Sequence, residues 1–133
     1  PVDLRSVLKT GLVLPSQRHG LRNFIDRAAQ MEGLAANVLI EMDSLTQIKA
    51  LVARSSGYTV LSPAAVHDLV IAGTLIGSPI KNPNLRRDVY LVRSGSAGVT
   101  LACRRTEETC RTVVSDLVRR GIWQANLPAG AID

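Results

Sequence analysis

The residues able to do chemistry gather in three short polar turns: Ser16-Gln17-Arg18-His19-Gly20, Asp43-Ser44 and Ser62-Pro63. Each precedes a stretch of helical spacing, so each offers unpaired backbone N–H groups and the positive end of a helix dipole. Small hydroxyls allow close approach of a ligand, and Arg18 and His19 can add positive charge. Together these features suit an anion or a carboxylate. Plain helix capping stands beside that reading. Capping alone accounts for Ser62, whereas for Ser44 capping and ligand contact weigh equally. Ser16 and His19 lie in a turn with more polar groups than a cap requires, which tilts that turn toward ligand contact. Arg18 is equally explained as a solvated side chain. Ser16, His19 and Asp43 have the residue types of a catalytic triad, but turns of this kind need such residues anyway, and a chance grouping is the better account.

Other chemistries lack their signatures. The sequence has no G-x-S-x-G elbow, no P-loop and no G-x-G-x-x-G. His19 and His67 are its two histidines, and neither has metal-ligand spacing. No cofactor and no metal are implied. Aromatics make up 3% of residues, too few for the stacking platform of a single-strand nucleic-acid binder.

The elements that must position these turns alternate along the chain. Gly11-Leu-Val-Leu14 reads as a buried strand, followed by Pro15 and the first polar turn. Leu21, Phe24, Ile25, Ala28 and Ala29 recur at helical spacing, and Gly33 suits the end of that helix. Asn37-Val-Leu-Ile-Glu41 is a second strand. Ser44 and Gln47 then have capping-box spacing before Leu45, Ile48, Leu51 and Val52, with Gly57 closing the following turn. Tyr58-Thr-Val-Leu61 is a third strand, and Ser62-Pro63 opens a short helix ending at Gly73. Residues 74–80 read as extended, 81–85 as a loop, 89–92 as a last strand and 94–98 as a small-residue loop. A long helix spans about 100–120, with Cys103, Cys110, Val113, Val114, Leu117 and Val118 on its apolar side. Glu107–Arg111 and Asp116–Arg120 are favourably oriented i,i+4 pairs. This order predicts an α/β fold, a mostly parallel sheet flanked by helices on both faces. Ligands of such sheets bind at the carboxyl ends of strands, where the three turns fall.

Composition agrees. At 133 residues and 46% apolar, the chain can build an aliphatic core. The net charge of +5 permits anionic partners. It is nevertheless spread evenly: residues 1–85 carry eight basic and six acidic side chains, and 86–133 carry eight and five. Pairs such as Arg104-Arg105 therefore read as solvated faces. Cys103 and Cys110 lie two helical turns, about 10 Å, apart. That is too far for a disulfide, so they read as small buried hydrophobes in a reducing, cytoplasmic setting. No apolar run approaches the length of a membrane span and no signal peptide opens the chain, so no membrane partner is expected. A start at Pro1 suggests a piece excised from a longer protein.

Several motifs together carry a resemblance. Leu14-Pro-Ser-Gln-Arg-His-Gly-Leu-Arg22 resembles the L-P-S-x-x-H-G-L-R segment in effector domains of some LysR-type transcription regulators. Asp43-Ser-Leu45 with Ile48-Lys49-x-Leu51-Val52 is similar to that family's D-S-L helix, and Gly57-Tyr-Thr-Val-Leu-Ser-Pro63 to its G-Y-T turn. The closing helix and Gly121-Ile-Trp123 resemble its carboxyl end. The four motifs occur in family order over nearly the whole chain, nearest to the nitrogen-assimilation and related metabolic regulators. The resemblance implies one lobe of a type 2 periplasmic-binding-protein-like domain plus a return strand and a long C-terminal helix. On that map residues 1–87 are the second lobe, with a hinge strand at the start, and residues 88–133 return into the first lobe. The rest of the first lobe and the winged helix-turn-helix would lie outside this chain, with half the cleft. The family pattern implies a small-molecule effector, homodimers or higher oligomers, and DNA contact only through that separate domain. It makes Ser16, His19 and Ser44 cleft-facing, with Arg18 beside them, in ligand contact and not catalysis. The alternatives are a small hydrolase or transferase built on Ser16 and His19, a solute-binding protein of a transport system, or a dimerisation module without ligand.

Overall fold

A computed structural model describes residues 1–96 and 98–127. Residue 97, inside the expected small-residue loop, and residues 128–133 lie outside the description. The chain divides into two compact units, Pro1–Arg86 and Arg87–Asp133.

In the first unit the elements are β1 (Val2–Asp3), α1 (Leu4–Lys9), β2 (Leu12–Leu14), α2 (Gly20–Met31), β3 (Val38–Glu41), α3 (Leu45–Ala53), α4 (Pro63–Ile71) and β4 (Ile80–Asn82). β2 is central, with all three of its residues buried. β3 runs parallel to it on one side, pairing Leu12 with Val38 and Leu14 with Glu41. On its other side Tyr58 forms a parallel bridge with Leu12. Two hydrogen bonds hold that bridge, Val13 N to Tyr58 O at 2.7 Å and Tyr58 N to Gly11 O at 3.0 Å. A separate parallel pair joins β1 to β4. The parallel α/β expectation therefore holds, in two short ladders and not one sheet.

Strand alternation sends Leu12 and Leu14 to one face, where they join Leu4 and Leu8 of α1 and Ile25, Ala28 and Ala29 of α2. α3 lies against β2, and Ile48 is buried there. Complete burial of each Leu or Ile contributes about 1.5–3 kcal/mol, so this aliphatic cluster is what anchors the strand ends. No helix was expected before Gly11, yet α1 forms there. Asp3 caps it by accepting from Ser6 N at 3.3 Å, and Leu4 and Leu8, four apart, are both buried.

The glycine stops follow one device. Gly33, Gly73 and Gly121 have φ of 67°, 72° and 72°. Each is followed by an amide that reaches back to the last full turn: Leu34 N to Ala29 O, Thr74 N to Leu69 O, and Ile122 N to Leu117 O. This is the 6→1 bond of a Schellman motif, which needs a left-handed residue at the helix exit. α3 ends in the same way, but its left-handed residue is Ser55 (φ 59°), with Ser56 N bonded to Leu51 O. Gly57, expected to close that turn, has a different task. Its φ is 147°, and a Cβ there would stand 2.9 Å from Gly11 O and 3.1 Å from Val13 Cγ2. It lets the chain pass tightly against β2.

Other expectations are corrected. The third strand, 58–61, reduces to the single bridge at Tyr58. Ser62 stands at the N-cap position of α4, with Pro63 at the first turn, but its side chain makes no capping bond. Of residues 74–80, read as extended, Ile80 alone falls in a strand, and β4 takes in Lys81 and Asn82, which read as loop.

The second unit contains α5 (Leu101–Arg119). Thr100 caps it by accepting from Cys103 N at 3.2 Å. Both expected i,i+4 pairs form, Arg111–Glu107 at 2.8 Å and Arg120–Asp116 at 3.1 Å. Residues 89–92 form no strand among the described residues, and all four are exposed. A strand exists only through ladder partners, and alternating apolar residues by themselves supply none. Nor does α5 bury any side chain fully. Cys103 and Cys110 are free thiols, half-buried where full burial was expected.

Candidate functional site

The parallel pair β2–β3 brings the first two polar turns to one end of the sheet. Its last ladder bond is Met42 N to Leu14 O at 2.9 Å. Immediately beyond it, Ser16 N donates to Asp43 Oδ1 at 2.8 Å, across 27 residues of chain. Ser16 and the Asp43-Ser44 turn are thereby brought together. His19 N donates to Ser16 O at 2.9 Å, which closes the first turn. Ser62 lies elsewhere, before α4, and has no bond to this group.

His19 is the N-cap of α2, and its Nδ1 accepts from Leu21 N at 3.2 Å. An imidazole that accepts through Nδ1 carries its proton on Nε2 when neutral, so Nε2–H is the group left to meet a ligand. Ser44 caps α3, its Oγ accepting from Gln47 N at 3.4 Å. This is half of the expected capping box; the return bond from the Gln47 side chain is not found among the described residues. Two helix starts, α2 and α3, thus flank the Ser16–Asp43 contact, and their first-turn amides have no intrahelical acceptor.

Electrostatics adds a sign. The Ser16 amide, then the Ser16 hydroxyl, hold Asp43 below the usual carboxylate range, and the charges of His19 and Arg18 act the same way. Asp43 is therefore an ionised, exposed carboxylate within the site. Arg18 is exposed, and its positive charge is available to a ligand. The second arginine of the same motif is not. Arg22 is 8% exposed, the single buried charged residue among those described. Its Nε donates to both Asp26 oxygens at 3.0 Å, and its Nη1 donates to Glu41 Oε2 at 3.0 Å and to Pro15 O at 3.2 Å. Burial works against its charge, but the two carboxylates raise its pKa above the ordinary arginine value. Its part in the site was missed at the sequence level. The available signal was its position three before Ile25 and four before Asp26, on the edge of the apolar stripe.

The arrangement does not make a triad. Asp43 bonds to the Ser16 amide, His19 Nδ1 bonds to its own helix, and no bond joins His19 to Asp43 among the described residues. What the geometry offers is a rim of donors at Ser16, His19, Ser44 and Arg18. A shallow groove of about 360 Å³ lies beside this rim along α3. It is lined by Met42, Gln47, Ala50, Leu51 and Arg54 and holds none of those four residues. No cluster of His, Cys, Asp or Glu fit for a metal occurs among the described residues.

A family model for the LysR substrate binding domain matches residues 1–115. The chain belongs to that family. The match takes in the whole first unit, with all of the rim, and the second unit as far as residue 115. Among curated relatives, the chain is similar to the nitrogen assimilation regulatory protein nac of Escherichia coli strain K12, at 26% identity over 124 residues. That alignment covers 92% of this chain and 41% of the relative. The nac protein of Klebsiella aerogenes is 26% identical over 114 residues, covering 86% of this chain and 37% of its own. The chain thus spans about two-fifths of the length of these LysR-family relatives. No helix among the described residues is long and apolar enough to cross a membrane.

Proposed function

We propose that this LysR substrate-binding chain is the effector-sensing and oligomer-forming part of a transcription regulator. A small anionic or carboxylate metabolite binds at Ser16, Arg18, His19 and Ser44, and DNA is read by a separate domain of the longer protein. One observation carries the reading: the 2.8 Å bond from Ser16 N to Asp43 Oδ1, which gathers two helix starts at one end of the β2–β3 pair. Arg18 supplies the charge for an acid group. The Asp43 carboxylate favours a ligand that also carries a hydrogen-bond donor, because a bare anion would meet its repulsion. On the map carried by the resemblance, residues 1–87 form one lobe and 88–133 return into the other. Exposed Val70, Ile71 and Ile76, the last at 97%, support self-association. The hydrolase reading has no support from the hydrogen bonds of His19 and Asp43, and we take the chain not to be an enzyme.

The test is a thermal-shift screen of small carboxylates, amino acids and inorganic anions on the full-length protein, with Arg18→Gln beside it. A ligand at a hundred times its dissociation constant adds about 2.7 kcal/mol of stability, a readily measured shift. One compound class is expected to raise the melting temperature dose-dependently, and less so in Arg18→Gln. A flat response across the panel, or an equal response in the variant, would remove the assignment of this rim.

A further inference from the structure

Arg22 is placed so that it ties together the parts of the rim that the strand ladder does not. The β2–β3 ladder ends at Met42 N to Leu14 O, and no ladder bond follows it among the described residues. Pro15, Ser16 and Asp43 lie beyond that point. The Arg22 guanidinium reaches both sides of this open end: Nη1 donates to the Pro15 carbonyl, one residue before Ser16, and to Glu41, two residues before Asp43. The same group is fastened to α2 through Nε and Asp26. Its side chain is 10% exposed, while the Glu41 side chain is 51% exposed. Arg22 therefore bonds a backbone carbonyl and a half-solvated carboxylate in preference to water. A planar fork with several donors is suited to this.

We infer that Arg22 is the positioning residue of the rim, holding the Pro15 carbonyl and the Glu41 carboxylate so that Asp43 meets the Ser16 amide. The inference rests on the proposed ligand site for its purpose, but its geometry is read without any ligand. It also divides the labour of two arginines in one motif. Arg18 faces solvent and serves the ligand, whereas Arg22 is buried and turns its Nε and Nη1 donors to protein acceptors. A lysine at 22 keeps the charge, but its donors radiate from one atom. It cannot span the acceptors now shared between Nε and Nη1.

The experiment is amide hydrogen exchange and side-chain carboxyl titration by NMR on the full chain, without ligand, for Arg22→Lys, Arg22→Met and Glu41→Gln. In both Arg22 variants the Ser16 amide is expected to exchange at least about tenfold faster, with the Asp43 titration moving up toward the ordinary carboxylate value. The ladder amides of Leu12, Val13 and Met42 should keep their protection. Glu41→Gln retains an acceptor and should shift both readouts in the same direction by less; it also serves if Arg22→Met does not fold. Unchanged Ser16 exchange and Asp43 titration would overturn the inference. So would a uniform loss of protection across the ladder in Arg22→Lys and Glu41→Gln, which would mark Arg22 as a stabiliser of the whole fold. Because no ligand is present, a flat thermal-shift screen would defeat the proposed function and leave this result standing.

Discussion

Replacing Ser44 by glycine separates the two roles open to its hydroxyl. As N-cap of α3 it accepts from Gln47 N at 3.4 Å, a long bond. Its capping contribution therefore belongs at the low end of the usual range, about 0.5–1 kcal/mol. Glycine at an N-cap costs only a few tenths of a kcal/mol against serine, because the backbone can still adopt the capping geometry and water reaches the freed amide. Ser44→Ala should thus lower stability by about 0.5–1 kcal/mol, and Ser44→Gly by about a third of that or less. If the hydroxyl also bonds the ligand, both variants lose that bond alike, at about 0.5–1.5 kcal/mol. This equals a roughly 2- to 12-fold rise in Kd. Urea unfolding gives the first quantity and calorimetric titration with a compound from the screen gives the second. The expected outcome is near-parent stability with weakened binding for Ser44→Gly. Parent-like affinity in both variants would refute ligand contact and leave Ser44 a cap only.

Four further outcomes follow from the geometry. Leu8→Ala, at a fully buried position of α1, should cost about 2–5 kcal/mol in chemical denaturation; a loss under 1 kcal/mol would mean that α1 is not part of the core. Gly57→Ala forces a Cβ to 2.9 Å from Gly11 O at a φ of 147°, and should cost about 2–4 kcal/mol and loosen the Tyr58 bridge in amide exchange. Ser55→Gly relieves a left-handed serine at the exit of α3 and should stabilise by about 0.5–1 kcal/mol, measured as a rise in urea midpoint. Asp43 has a depressed native pKa, so its contribution is complete above the ordinary carboxylate range and is lost as pH falls through the native value. The stability gap between the parent and Asp43→Asn should shrink from about pH 6 to about pH 3; a constant gap would show that Asp43 gains nothing from Ser16.

What the sequence by itself determined was whatever depends on neighbours within about one helical turn. The starts of α3 and α5 at Ser44 and Thr100, and the exits at Gly33, Gly73 and Gly121, are of this kind. So are the Glu107–Arg111 and Asp116–Arg120 pairs. Caps and left-handed exits are satisfied by the chain's own next few amides, so residue type and spacing carry the information. The order of the four motifs carried the LysR family as well, since each motif is read from residue types at close spacing. Tertiary structure decided the rest. Residues 89–92 have the alternation of a strand but no ladder partner among the described residues, and so do not form one. β1 and β4 pair across most of the first unit, which no local pattern announces. Asp43, one of many polar turn residues in the sequence, becomes the clasp of the rim because the β2–β3 register delivers it to the Ser16 amide. Arg22 is in the sequence only the last residue of the first motif, with no role of its own, until Pro15, Asp26 and Glu41 converge on it. The physical reason is common to all of these: a hydrogen bond between residues tens of positions apart forms only after packing of the core has paid the loop entropy between them.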